Sequence, residues 1–305
     1  MVEADRIRIR LNHLQKAFHE LSADPLLHGQ DKSFALGCGI LRRFLDEQWI
    51  DRHFLPSGKN GFLTLNESSP ESREMSAFRL IDLSEVIYNL QDVAGFDDCI
   101  RKMRAGDIEG TYAELDFGRM LHLNNVPFRF VVPQGVKRLD YDIEILYPNG
   151  LVVCADAKCK VETTEFSENG VRNVLNDARK QLPKERPSIV FVKVPPRWIE
   201  CQTIVASTIQ VARRFLGGVK RIVSVKFYSS PLMLKDGMMM HQHAYKEVSN
   251  PKTDFGDEIN WDIFKKFQLP PEHNGMPPHW QRILFFPDGK PKLPRQAKPT
   301  DNSAW

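Results

Sequence analysis

The sequence lacks several features that would assign a class of protein at once. It contains five cysteines among 305 residues, none of them in a CxxC pair, and an odd, scattered set is unlike a disulfide framework or a zinc site. It has no long apolar run free of charges, so no membrane span is predicted. Its first residues, MVEADRIRIR, lack the apolar core of a signal peptide. Together these absences predict free thiols, a reducing compartment and a cytoplasmic location.

Net charge is also low, at +3, which is too small to indicate a polyanionic partner by itself. The charge is unevenly distributed, however. Between Val171 and Lys226 there are twelve Lys or Arg residues against three Asp or Glu residues. A basic stretch of this kind is typical of a surface that binds a phosphate backbone, although a well-solvated surface can have the same composition.

Apolar periodicity divides the chain into three regions. Residues 1–107 space their apolar residues at three and four, which predicts a helical N-terminal region with a polar loop around NESSPESRE. Residues 108–230 change to a pattern of helix, three strands, helix, strand, helix and strand, which predicts a mixed α/β domain. Residues 231–305 are richer in proline and predict an irregular C-terminal extension.

Charged residues are concentrated in one predicted β-hairpin. Residues 139–160 read LDYDIEILYPNGLVVCADAKCK, two alternating apolar runs around a Pro-Asn-Gly turn. If the turn has three residues, Asp142 lies opposite Asp156, and both project from one face together with Lys158. The other face then carries the apolar residues Tyr141, Ile143, Ile145, Val153 and Ala155. A two-residue turn would shift the register by one and place the two aspartates on opposite faces.

This set of side chains predicts a metal site. Two opposed carboxylates repel each other and favour a cation between them, and aspartate oxygens suit Mg²⁺ or Mn²⁺. Lys158 would lie beside the metal, where it could orient a water and stabilise charge on a phosphoryl oxygen. The pattern indicates metal-assisted phosphodiester hydrolysis. Asp140 falls on the same face but is interpreted as solvating the start of its strand.

Asp142, followed after a short spacer by Asp156-Ala-Lys158, resembles the core of the PD-(D/E)xK nuclease superfamily, which includes restriction and repair enzymes and Holliday-junction resolvases. The resemblance covers residues 108–228. It implies a restriction-endonuclease-like αβββαβ core with a mixed central sheet behind the helical N-terminal region, and a Mg²⁺- or Mn²⁺-dependent nuclease acting on DNA rather than RNA. The sequence departs from the family where Tyr141 replaces the proline and where Asp156 replaces the commoner glutamate.

The resemblance also implies roles for individual residues. The family often adds a glutamate from the preceding helix, and Glu114 fits because it lies on the helical stripe that should face the sheet. Several branches carry a glutamine on the helix after the motif, and Gln181 matches that place. Asp142, Asp156 and Glu114 would then bind the metal, and Lys158 would position the attacking water.

Other charged residues receive less specific interpretations. Arg172, Arg179 and Lys180 lie off the apolar stripe of their helix and are predicted to contact the nucleic-acid backbone, although solvated helix charges are equally common. Asp116 and Glu144 are interpreted as surface charges.

Two alternatives stay open. The first is a nuclease-like fold that serves as a non-cleaving DNA-binding or assembly module in a larger complex. The second is an α/β protein without a nucleic-acid function, in which the acids pair with local arginines. In either nuclease-like reading, the helical N-terminal region would recognise a substrate shape, a protein partner or a second copy in a homodimer. Residues 287–290, PDGK, match the literal motif better but are typical of a turn.

Overall fold

The computed structural model describes residues 8–27, 30–54, 63, 69–136, 138–147, 149–229, 231–235, 238–241 and 244–256. The helices in this part of the chain are α1 (Leu11–Ser22), α2 (Gln30–Phe44), α3 (Trp49–His53), α4 (Pro70–Leu90), α5 (Phe96–Arg104), α6 (Ile108–Leu123), α7 (Glu168–Gln181), α8 (Pro196–Glu200) and α9 (Gln202–Leu216). The strands are β1 (Phe128–Phe130), β2 (Ile143–Leu146), β3 (Val152–Cys159), β4 (Ser188–Lys193), β5 (Ile222–Ser229), β6 (Leu232–Lys235), β7 (Met238–His241) and β8 (Ala244–Ser249). Residues 287–290, which the sequence predicts to form a turn, lie outside the described residues.

Six strands form one mixed sheet in the order β1-β2-β3-β4-β5-β8. The β1–β2, β2–β3 and β5–β8 pairs are antiparallel, whereas β3, β4 and β5 run parallel. The parallel pairs require crossovers, which α7 and then α8 and α9 provide. The predicted mixed α/β fold is therefore confirmed.

The region expected to be irregular begins with regular structure instead. β6 and β7 form a separate antiparallel pair, and β8 adds an antiparallel strand to the sheet beside β5. The prediction was wrong for these residues because their strands are short, so periodicity alone does not distinguish them from loop.

Helices cover both faces of the sheet. On one face, α7 and α9 pack on alternate residues of β3, β4 and β5, including Val190 and Val225. On the other face, α6 and the preceding helices share one hydrophobic core with the sheet, in which Phe117 of α6 stacks on Phe191 of β4 with ring centroids 4.1 Å apart. Residues as early as Leu14 belong to this second core. The helical N-terminal region is thus packed directly against the α/β region.

α4 begins earlier than the expected polar loop allows. The Ser69 side chain accepts a hydrogen bond from the Ser72 backbone N–H, and Pro70 is the first helical residue. A serine cap followed by proline is a helix-start signal, so the second half of NESSPESRE is helical.

No described helix is both long and apolar enough to cross a membrane.

The hairpin between β2 and β3 has the predicted three-residue connection. Ile143 pairs with Ala155, and the Tyr147 N–H donates to the Leu151 carbonyl at 2.9 Å. Gly150 has a φ of 83°, a left-handed conformation that glycine adopts without strain. The register that places Asp142 across from Asp156 is therefore confirmed.

Tyr141 does not join the apolar face that the register assigns to it. It packs with Cys154 and the residues of α7, while its hydroxyl donates to Glu144 at 2.6 Å. The strand pattern fails here because β2 begins only at Ile143, so strict alternation does not extend back to Tyr141.

Candidate active site

Asp142 and Asp156 meet at the point where β2 begins beside β3. Asp142 immediately precedes β2, and its Oδ2 accepts a hydrogen bond from the Ala157 backbone N–H at 2.7 Å. This carboxylate therefore accepts from a backbone N–H of β3 that would donate to a backbone carbonyl of β2 if β2 were longer. Both aspartates are buried, Asp156 completely.

Lys158 turns back along β3 toward Asp156. Its Nζ lies 2.7 Å from Asp156 Oδ2 and donates to Gln181 Oε1 at 2.5 Å. The structure thus brings Gln181, at the end of α7, to the lysine of the motif. Asp156 Oδ1 is buried and accepts no hydrogen bond from the described residues.

Glu114 enters the site from α6, on the stripe that the sequence predicted. Its carboxylate oxygens accept hydrogen bonds from Lys102 Nζ at 2.9 and 3.1 Å. The same ammonium lies 4.0 Å from Asp142 Oδ1. Lys102 therefore lies between two of the predicted metal ligands.

Lys102 was not predicted from the sequence, because it belongs to α5, in the helical region that matched no motif. Its neighbours Cys99, Ile100 and Met103 are buried, which indicates the packed face of this amphipathic helix. The sequence pattern does not show that a lysine on the edge of that face reaches a carboxylate on α6.

The three carboxyls share an electrostatic environment that favours protonation. Burial, assisted by the nearby charge of Asp142, raises the pKa of Glu114 to about 8. Burial likewise raises the pKa of Asp142. For Asp156, burial and then the charge of Asp142 raise the pKa well above its usual range. Lys102 acts in the opposite direction on all three groups, and Lys158 does so on the two aspartates, without cancelling these effects.

The two lysines stay protonated. Burial by itself lowers the pKa of Lys158, but Asp156 and Asp142 outweigh it and the pKa is raised. For Lys102, burial also opposes the charged form, and Glu114 with Asp142 again raises the pKa. Both side chains are therefore cations at neutral pH.

The carboxylates are directed at lysines and an amide rather than at one common point. Among the described residues, no three His, Cys, Asp or Glu side chains are grouped so as to hold a metal ion. A cation nevertheless suits this site. Asp156 has a buried oxygen without a donor, and three mutually repelling carboxyls outnumber two ammonium groups. Asp142 and Asp156, with Glu114 beside them, fit the oxygen donors that Mg²⁺ or Mn²⁺ takes.

The remaining predicted site residues lie elsewhere. Asp140 Oδ1 accepts hydrogen bonds from the backbone N–H groups of Gln134 and Gly135 at 2.8 and 3.1 Å, so it orders the loop before β2. Arg172, Arg179 and Lys180 are exposed on α7. The structure shows none of these three in contact with the described acidic residues of the site.

Two residues interpreted as surface charges are buried. Asp116 is fully buried, where it pairs with Arg119 and accepts a hydrogen bond from Lys193 at 3.1 Å. Glu144 is also buried and pairs with Arg129, in addition to its bond from Tyr141. Both interpretations were wrong because part of the compensation comes from other elements, from Lys193 of β4 for Asp116 and from Arg129 of β1 for Glu144.

Comparisons of the chain with protein-family models, curated proteins and solved structures returned no match.

Proposed function

We propose that this protein is a divalent-metal-dependent nuclease that hydrolyses DNA phosphodiester bonds. The observation that carries the proposal is the placement of Asp142 opposite Asp156 with Lys158 held against the second carboxylate. The element order α6-β1-β2-β3-α7-β4 supports a PD-(D/E)xK, restriction-endonuclease-like core, because it is similar to the αβββαβ order of that superfamily.

Asp142 and Asp156 would hold Mg²⁺ or Mn²⁺, and Glu114 would contact it directly or through water. When bound, such a metal lowers the pKa of a coordinated water and polarises the phosphoryl oxygen. The protein's own contribution is to keep the carboxylates buried and fixed. The Ala157 N–H holds Asp142 in place at 2.7 Å.

Lys158 serves as a positively charged donor rather than as a base, because its neighbours raise its pKa. Its ammonium would orient the attacking water and stabilise the negative charge that grows on the phosphate. Gln181 Oε1 accepts a hydrogen bond from the Lys158 ammonium at 2.5 Å, and this hydrogen bond fixes the direction of the remaining N–H groups. Gln181 is therefore a positioning residue.

One observation favours a second function, a DNA-binding or assembly module that does not cleave. Lys102 and Lys158 already pair with Glu114 and Asp156, so the charge of the site is partly neutralised within the chain. A site that stays in this state would retain the fold and its charged surface without hydrolysis.

A cleavage assay separates the two functions. Supercoiled and linear DNA are incubated with the wild type, Asp156→Asn and Lys158→Met proteins in Mg²⁺ or Mn²⁺. Asp177→Asn is the matched control, because Asp177 is an exposed aspartate paired with Lys180. Cleavage by the wild type and the control alone supports the nuclease. DNA binding without cleavage by any form supports the non-cleaving module.

A further inference from the structure

A second basic feature lies outside the acidic site. A cavity of about 720 Å³ opens where α7 ends and the turns before β4 and β5 begin. Six basic side chains line it, against two acidic ones: Arg138, Arg179, Lys180, Lys184, Lys220 and Arg221, with Glu185 and Asp254. The cavity is therefore strongly positive.

The arginines of this cavity have no ion-pair partner among the described residues, although Glu185 offsets part of the positive charge at Arg221. Lys220 pairs with Asp254 at 3.4 Å, but Arg138, Arg179 and Arg221 form no ion pair with any described carboxylate. Arg221 instead donates to the Arg179 carbonyl at 2.8 Å, at the end of α7. Burial and then the positive charges of Arg138 and Arg179 lower the pKa of Arg221. Guanidinium groups that line one cavity favour an anion between them.

The loop that carries Arg138 is held in an unusual conformation. Arg138 has a φ of 74°, which is uncommon for a residue other than glycine. Asp140 orders the preceding segment through its bonds to the Gln134 and Gly135 N–H groups. Arg138 thus lies between Asp140 and a segment that Asp140 orders.

The cavity lies near the acidic site. Ser188, the first residue of β4, pairs with Cys154, two positions before Asp156 on β3. The cavity-lining Lys184 shortly precedes Ser188, and Arg179 lies two residues before Gln181, which contacts Lys158. The last turn of α7 thus provides Arg179 to the cavity and Gln181 to the acidic site.

We propose that Arg138, Arg179 and Arg221 form a phosphate-binding site that holds the DNA backbone at a phosphate other than the one cleaved. This inference rests on the proposed nuclease function and identifies where the substrate is anchored. Arginine guanidiniums bind phosphate oxygens through paired N–H donors. Contacts of this kind fix the position of a duplex without reading its sequence.

The test measures how DNA affinity depends on salt, in EDTA so that cleavage plays no part. A labelled duplex is titrated with the wild type, Arg179→Met and Arg138→Asn proteins over a range of KCl concentrations. Asparagine is chosen at 138 because it tolerates a positive φ. Arg43→Met is the matched control, since Arg43 is also an exposed arginine in the last turn of a helix, α2, away from the cavity.

Each cavity variant is expected to weaken binding and to reduce the slope of log K against log salt by about 0.9, the value for one lost phosphate contact. The control should keep the wild-type slope. If a variant fails to fold, Lys184→Met, an exposed substitution in the same cavity, replaces it. Slopes that match the control in every cavity variant would overturn the site.

The outcomes also separate this inference from the nuclease proposal. A reduced slope without cleavage in Mg²⁺ or Mn²⁺ would support the phosphate site and reject the nuclease. Cleavage in Mg²⁺ or Mn²⁺ with unchanged slopes would support the nuclease and reject the phosphate site. Calorimetric titration with inorganic phosphate tests a free anion as the ligand. Saturable phosphate binding that Arg179→Met abolishes, together with unchanged DNA slopes, would assign the cavity to free phosphate and overturn the DNA assignment.

Discussion

Lys102 donates hydrogen bonds to both carboxylate oxygens of Glu114, at 2.9 and 3.1 Å. The two residues lie on adjacent helices, α5 and α6, and both side chains are largely buried. A lysine from the helical region thus provides the counter-charge for a carboxylate of the candidate active site. This ion pair joins the helical region to the acidic cluster.

Above about pH 8, where Glu114 is ionised, Lys102→Met should destabilise the protein by about 1–3 kcal/mol, because it leaves the buried carboxylate without its ammonium donor. Unfolding in urea measures the loss. Glu114→Gln and the double variant complete a cycle, in which a coupling energy of about 0.5–3 kcal/mol is expected for residues in direct contact. Strict additivity of the two single variants would contradict the ion pair.

Stability should depend on pH through Glu114. Its pKa rises from 4.5 to about 8 on folding, so the folded protein binds more protons than the unfolded chain between these values. The contribution of this group is therefore fully present below pH 4.5 and is lost as the pH rises through about 8. Denaturant unfolding in EDTA should show Glu114→Gln gaining stability relative to wild type over this range. A constant difference between the two proteins would show that Glu114 keeps its ordinary pKa.

The buried Arg119 network should be critical for folding. Arg119 donates to Asp82 at 2.9 Å and also pairs with Asp116. Arg119→Met removes the guanidinium that both carboxylates share, with an expected loss of about 3–5 kcal/mol. Lys180→Met is the control, because it breaks only the exposed pair with Asp177 and should change stability by no more than about 1 kcal/mol. Equal losses in the two variants would be incompatible with the buried network.

Gly95 should tolerate no side chain. It precedes α5 with a φ of 81°, and a Cβ atom there would lie 2.1 Å from the Phe130 carbonyl oxygen. Gly95→Ala must therefore move α5 or β1, and the left-handed conformation alone costs about 1–2 kcal/mol. Thermal and urea unfolding should show a loss of at least this size. Gly39→Ala is the control, because a Cβ there meets nothing within 4 Å, and it should be neutral or mildly stabilising.

The sequence was sufficient to predict the parts of the site that depend on local structure. The Pro-Asn-Gly turn determines the register of Asp142 and Asp156, and helical periodicity places Glu114 on the inner face of α6. Gln181 was predicted only through the family resemblance, and the structure brings it to Lys158.

Contacts between distant segments could not be predicted in this way. Asp116 is buried because Arg119 and Lys193 compensate it, and Lys193 is 77 residues away in the chain. Lys102 meets Glu114 only because α5 packs against α6. Local patterns record whether a residue is polar, but they do not reveal which partner allows it to be buried.

We propose that Asp142 and Asp156 together bind a divalent cation for phosphodiester hydrolysis. Calorimetric titration of the metal-free protein with Mn²⁺, in the absence of DNA, tests it most directly. We predict saturable binding by the wild type and Asp177→Asn proteins, and a loss of affinity of about tenfold or more in Asp142→Asn and Asp156→Asn. Wild-type Mn²⁺ affinity in both of these variants, or no saturable binding by the wild type, would show that the two aspartates do not form a metal site.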